Sequence, residues 1–169
     1  MSNWDKVILV NVDDQEIGEK DKLKAHLDGD LHRAFSIFIF NSKNEILLQK
    51  RSSKKYHSPN LWTNTCCSHP QLGISMEKCL ENRLEFEMGM CCELKLWFTF
   101  MYKAEFENGL IEHEFDHVYK GFSDELPKLN LNEASDYQYI TLDNLKKELT
   151  INPEKYTAWL KLIIDKIEV

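Results

Sequence analysis

Three groups of residues in this chain have types and spacing that could do chemistry together. The first lies in Trp62-Thr63-Asn64-Thr65-Cys66-Cys67-Ser68-His69-Pro70-Gln71, where a thiol (Cys67) and an imidazole (His69) stand two residues apart in a small-polar run. Such a run fills little core, so it reads as a loop or short strand that presents both side chains. The second is Glu112-His113-Glu114-Phe115-Asp116-His117. A strand's period of two puts Glu112, Glu114 and Asp116 on one face, and His113, Phe115 and His117 on the other. Three acids on one face repel each other. A solvated edge would explain them, and a bound cation would explain the first two better. The third group is His26 with His32. Three imidazoles (His26, His32, His69) and two carboxylates (Glu112, Glu114) make an N/O donor set suited to Zn, Mn or Fe. A thiol beside it would be a further ligand, a nucleophile or an acid/base. Arg51, Lys55 and Arg83 could form a local cation cluster for an anion. Glu87 could hold Mg²⁺ against a diphosphate, because Mg²⁺ typically uses one or two carboxylates plus phosphate oxygens.

Composition bounds the partners. At 169 residues the chain reads as one domain, 1–169. A net charge of −7 argues against a nucleic-acid surface, which needs a basic stripe, so any anion must be drawn by a local cluster or a metal. There is no apolar run near the length of a membrane span, and Met1-Ser2-Asn3-Trp4-Asp5 has no basic n-region of a secretory leader. Five cysteines, four of them in adjacent pairs, do not give a C-x-x-C zinc or redox spacing. A reduced, cytoplasmic protein is expected.

The elements that must position these groups follow from the pattern. Val7–Val12 reads as a strand and Gln15–Lys20 as its hairpin partner across Asp13-Asp14. Lys22–His26 is a charged stretch before a turn at Leu27–Asp30. Leu31–Asn41 is the strongest strand, apolar on both faces and so buried. After a turn at Asn41–Asn44, Glu45–Arg51 returns as a strand, and Ser52–Pro59 is a polar loop. Ser75–Met88 reads as a helix closed by Gly89. Its apolar stripe is Met76, Cys79, Leu80, Leu84 and Phe86, with Arg83 and Glu87 in the middle of it. Charges there are costly unless paired or bound, so they are either a buried i,i+4 ion pair or the mark of a polar site. Leu94–Phe106, a turn at Asn108-Gly109 and Ile111–Phe122 form a hairpin. Asp124–Asn132 is loop, Tyr137–Ile140 a last strand and Asp143–Leu149 a short helix. Asn152-Pro153-Glu154 starts a final helix to about Ile167, with Trp159 on its apolar stripe. Antiparallel strands with helices inserted and appended predict an α+β domain.

Leu31–Ser36, Trp62–Pro70 and Glu112–His117 together resemble the type I isopentenyl diphosphate isomerases, in order over nearly the whole chain from Val7 to Trp159. The resemblance implies a Nudix-type fold, a mixed and antiparallel sheet packed between helices. It implies an isomerase that interconverts isopentenyl and dimethylallyl diphosphate by proton transfer through a tertiary carbocation. It implies one divalent metal (Mn²⁺ or Zn²⁺, also Mg²⁺) on His26, His32, His69, Glu112 and Glu114, with Cys67 and Glu114 as the proton-transfer pair on opposite faces of the substrate. It further implies Mg²⁺ on the diphosphate through Glu87, phosphate contacts from Lys22, Arg51, Lys55 and Arg83, proton-transfer support from Tyr102, and Trp159 facing the cation. The partner so implied is a small isoprenoid diphosphate, with no nucleic acid and no membrane. The second reading is a Nudix pyrophosphohydrolase, whose box is G-x5-E-x7-R-E-U-x-E-E-x-G-U, with U apolar. Aligned on Gly89, this chain has Ser68, Ile74, Asn82, Arg83 and Phe86 at five of the specified places, and only Leu84, Glu87, Gly89 and Met90 fit. Hydrolysis is therefore disfavoured. The isomerases usually keep Glu where Ile74 stands, often Arg at Asn82 and Gly at Asn60; these departures leave the proton-transfer pair and the five metal ligands intact. A third reading, a zinc-stabilised binding domain on Cys67, His69 and the other histidines, predicts unfolding on metal removal.

Overall fold

A run of aromatic and β-branched residues without Gly or Pro makes the central strand, β3 (His32–Phe40), in the computed structural model, which describes residues 5–167. The leader reading on Met1–Trp4 lies outside the described residues. One side of β3 pairs in parallel with β8 (Ile111–Phe122), from His32 opposite Glu114 to Phe40 opposite Phe122. The other side is shared in succession by three antiparallel strands: β1 (Lys6–Val10), β6 (Cys66–Ser68) and β4 (Glu45–Arg51). β2 (Glu16–Asp21) pairs with β1, and β7 (Leu94–Glu105) with β8. β5 (Trp62–Thr63) and β9 (Ala134–Thr141) pair with β4, completing a mixed sheet.

The alternation of β3 builds two cores. Phe35, Ile37 and Ile39 face Cys79, Leu80, Leu84 and Met88 of helix α2 (Met76–Met88). Phe38 and Phe40 face the other way, onto Leu145 of α3 (Leu142–Ile151) and Trp159, Leu160 and Ile163 of α4 (Ala158–Ile164). The sheet thus lies between helices, the α+β arrangement read from the sequence. No helix of the described residues is long and apolar enough to cross a membrane.

α2 ends where the sequence placed its stop. Ser75 caps it by accepting from Lys78 N, and Gly89 closes it at φ 59°. A β-carbon at Gly89 would lie 2.7 Å from the Lys128 carbonyl oxygen and 2.8 Å from Lys128 Cβ. Gly89→Ala therefore combines a left-handed backbone with a clash against main chain. It should cost at least about 1 kcal/mol and lower Tm by about 2–4 °C or more, read by thermal denaturation. An unchanged Tm would show that the Lys128 segment yields freely.

Four sequence readings are corrected. Lys22–His26 and the turn after it are a helix, α1 (Lys22–Asp28), capped by Asp21 and closed by Gly29. It has no apolar stripe to announce it, because its buried residues are Ala25 and the imidazole of His26. Phe86 is 51% exposed rather than core, since it lies at the margin of the stripe, with the Arg83 guanidinium 5.3 Å from its ring. The final helix is broken: Pro153–Lys155 is a 3-10 turn, Tyr156 and Thr157 are extended, and α4 begins only at Ala158. The break is made by pairing, as Tyr156 bridges Trp62 and Thr157 N donates to the Trp62 carbonyl at 3.0 Å. Lastly, the acidic face of β8 is not a solvated edge. β8 lies between β3 and β7, and Glu112, Glu114 and Asp116 are all buried.

Candidate active site

α1, the start of β3, the end of β6 and β8 converge on one cluster. One ligand atom each from His26, His32, His69 and Glu114 lies within 4.8 Å of the others. The first two imidazoles are oriented by carbonyls. His26 Nδ1 donates to Lys22 O at 2.6 Å, and His32 Nδ1 to Asp30 O at 2.8 Å. A carbonyl only accepts, so the proton sits on Nδ1 and the Nε2 lone pair points inward. Both Nε2 atoms are buried and lack a hydrogen-bond partner. His69 Nε2 is 3.0 Å and His32 Nε2 3.5 Å from Glu114 Oε1. Burial pushes the His69 imidazole down to about 3 and lowers His26, so both are neutral, the form that binds a metal. Burial also works to raise the Glu114 carboxyl, but the His32 and His69 imidazoles beside it outweigh burial and hold it well below the usual range. Two orphaned inward-facing nitrogens beside a carboxylate are the donor set of a divalent cation. Glu112 is not among these four. It stands one step along the same strand face, its carboxyl pushed up by burial and then by Glu114.

The other chemistry lines one cleft. Cys67 and Glu114 both line it, from strands on opposite sides of β3. Burial raises the Cys67 thiol far above its ordinary range, so it stays protonated. Tyr102 Oη lies 2.6 Å from Glu114 Oε2 and 3.1 Å from Glu112 Oε2, and the shorter contact takes its single proton. Asp116, the third acid of the face, is pushed up to about 8 by burial and then by Glu114, and its Oδ2 accepts from Ser36 Oγ at 2.8 Å.

The cleft also carries cations. Lys22, Arg51, Lys55 and Arg83 all line it, although the chain as a whole is acidic. Lys55 and Arg83 pair with Glu133, and Arg83 Nε donates to Glu87 Oε1 at 2.6 Å. Lys22 is lowered by burial and then by the charges of Lys55 and Arg83. Glu87, the partner of Arg83, is 4% exposed, with Oε2 accepting from Gln49 at 2.7 Å. The ion-pair reading of Arg83 and Glu87 is thus present in the structure beside the cation cluster.

Trp159 lines the cleft, with the Arg51 guanidinium 5.1 Å from its ring. The sequence reading left His57 without a job, in a polar loop. The structure buries it to 8% exposure in the cleft wall, with Nε2 3.5 Å from Glu112 Oε1 and its ring edge-on to Trp159. Tyr56 beside it also lines the cleft. Neither sits in a periodic element, so no hydrophobic pattern could reveal them. The only signal was two aromatic rings in an otherwise polar loop. His113 and His117 stay outside, on Gly29 O and Asp14.

The NUDIX domain family matches residues 30–160. The chain is 44% identical over 162 residues to an isopentenyl-diphosphate Delta-isomerase of Pectobacterium atrosepticum, covering 96% of this chain and 90% of that protein. It is 48% identical over 163 residues to isopentenyl-diphosphate Delta-isomerase 1 of Aromatoleum aromaticum, covering 96% and 92%. Among solved structures it is similar to a Deinococcus radiodurans protein, at TM-score 0.77 and 19% identity over 95% of this chain and 98% of that one. A MutT protein of Methanosarcina mazei aligns at TM-score 0.65 and 17% identity, over 80% and 91%. Those two likenesses speak for the fold alone.

Proposed function

Because this chain belongs to the isopentenyl-diphosphate Delta-isomerases of the NUDIX family, we propose that it interconverts isopentenyl and dimethylallyl diphosphate as a single 1–169 domain. The observation that carries the reading is one cleft lined by four cations together with the Cys67 thiol and the Glu114 carboxylate. The cations hold the diphosphate, and that remote binding energy orients the small apolar tail. Cys67 Sγ–H gives its proton to the terminal alkene carbon, leaving positive charge on the tertiary carbon. Glu114 then takes a proton from the carbon next to it, on the diphosphate side, and the double bond forms there. Proton count is conserved: one leaves sulfur and one arrives on carboxylate, and solvent exchange resets the pair. The reverse reaction swaps the roles. An alkene is a very weak base, so the acid must be held close and away from water. The Trp159 face and nearby carboxylates stabilise the cation; an aromatic face is worth about 2 kcal/mol in a dry site. Tyr102 carries its proton to and from Glu114 Oε2, while Oε1 faces the imidazoles.

His26, His32, His69 and Glu114 would hold the structural and electrostatic cation, Mn²⁺, Zn²⁺ or Mg²⁺, with Glu112 as a further ligand. When bound, this cation supplies positive charge that keeps Glu114 ionised. Glu87 would hold a second cation, Mg²⁺, which would supply positive charge to the diphosphate. Glu87→Gln should mainly weaken Mg²⁺-dependent diphosphate affinity, by about tenfold, in a titration of binding against Mg²⁺. Unchanged affinity and Mg²⁺ dependence would leave Glu87 as the partner of Arg83 only. Chelation should remove activity while the circular dichroism of the fold persists, because two apolar cores hold the sheet without the cluster. Unfolding on chelation would favour the zinc-stabilised binding domain instead.

Five cysteines without a disulfide suit a reducing cytoplasm, and we assign the enzyme there. The test of the reaction is proton NMR of the protein with isopentenyl diphosphate and Mg²⁺ in deuterated water. Dimethylallyl diphosphate carrying deuterium is expected. Phosphate release without it would return the protein to the pyrophosphohydrolases.

A further inference from the structure

We propose that Asn64 is a positioning residue that sets the Trp159 indole against the strand carrying Cys67. The inference rests on the isomerase reading, and extends it to a residue that touches neither substrate nor cation. Asn64 is fully buried and lies in the turn between β5 and β6. Its Nδ2 donates to Cys66 O at 2.7 Å and Ile37 O at 3.2 Å. Carbonyls only accept, so these two bonds fix which side of the amide is oxygen. That oxygen, Oδ1, faces Trp159 Nε1 at 3.3 Å and Thr63 Oγ1 at 2.9 Å. Thr157 Oγ1 in turn donates to Thr63 Oγ1 at 2.9 Å. Thr63, Asn64 and Thr157 are all fully buried, and Trp159 is 3% exposed.

The chain of polar contacts has two ends that matter. One is the carbonyl of Cys66, the residue before the thiol. The other is the indole that walls the cation. The break in the predicted final helix serves the same joint, because Thr157 N donates to the Trp62 carbonyl and starts α4 there. A plain apolar joint would bury Trp159 equally well but leave the ring free to rock about its long axis. A buried indole N–H with one acceptor has one orientation of lowest energy, since leaving it unpaired costs a desolvation penalty. The distance between proton donor and cation wall is therefore set by Asn64.

The test uses Asn64→Leu, Trp159→Phe and the double variant. Nitrogen-proton spectra resolve the indole N–H groups, and Trp159→Phe identifies the Trp159 signal by its loss. In Asn64→Leu that signal should move to the position of an unbonded indole. Turnover should fall about tenfold with KM within about twofold. Affinity for a diphosphate bearing a tertiary ammonium in place of the cationic carbon should fall about tenfold, while affinity for inorganic pyrophosphate holds. The double variant should lose no more than Trp159→Phe alone. Equal losses for the ammonium compound and pyrophosphate, or additive losses in the double variant, would overturn the proposal and leave Asn64 as scaffold. If Asn64→Leu does not fold, Thr63→Val removes one donor to Oδ1 and spares both carbonyl bonds. The Trp159 signal should stay at the bonded position with turnover near native, because Oδ1 keeps Trp159 Nε1 as its donor; a signal at the unbonded position would overturn the proposal and give the positioning to Thr63. Wild-type protein run in parallel on isopentenyl diphosphate separates a failure of the isomerase reading from a failure of this one.

Discussion

Cys67→Ala abolishes turnover, with kcat reduced by about a thousandfold or more, in protein that stays folded. Alanine removes the thiol that burial keeps protonated in the cleft, on the strand across β3 from Glu114. Tyr102 is held protonated by burial too, but its proton is committed to Glu114. The fold should tolerate the change, because Cys67 is half-buried at the rim of the apolar cluster. A cost of about 1 kcal/mol is expected. The measurements are isomerisation rate, deuterium incorporation and thermal midpoint on the same sample. A Cys67→Ala protein with near-native rates would sink the acid/base pair.

Glu114→Gln should lower kcat as far and add a second defect. The substitution keeps shape but removes the carboxylate that accepts from Tyr102 and faces His69 and His32. Loss of a charged ligand should weaken Mn²⁺ affinity by at least about tenfold, measured by calorimetry on the metal-free protein. The two roles separate under saturating metal. If Glu114 is the proton acceptor, excess Mn²⁺ restores occupancy and not turnover. Recovery of turnover with excess metal would demote Glu114 to a ligand and send the search for the base to Glu112 or His57. Both lie in the cleft wall, 3.5 Å apart.

Much of this was legible in the chain. The β3 strand, the helix from Ser75 to Gly89 and the hairpin of Leu94 to Phe122 are written in local pattern, and the structure places them where the pattern does. So were the donor types, because a metal site must be built from His and carboxylates wherever they sit. The misses share one cause. α1 buries an imidazole instead of an apolar stripe, so periodicity is silent about it. The final helix is interrupted because Tyr156 and Thr157 pair with Trp62, a contact across nearly a hundred residues that no local window contains. His57 sits in a loop, and loops carry no period.

The sequence by itself determined the inventory: which residues can ligate, donate or hold phosphate, and which strands and helices carry them. It also determined that Glu112, Glu114 and Asp116 share a face, since that follows from the pleat alone. Tertiary structure decided what that face looks at. Packing β8 between β3 and β7 turned three repelling acids from a surface feature into a buried set in which Glu112 and Asp116 are pushed toward the protonated form and Glu114 is held toward the ionised one. It also placed the orphaned Nε2 atoms of His26 and His32 beside Glu114, and kept the Cys67 thiol protonated. Desolvation and the distance between charges fix those states, and both are properties of the folded chain, with no counterpart in the order of its residues.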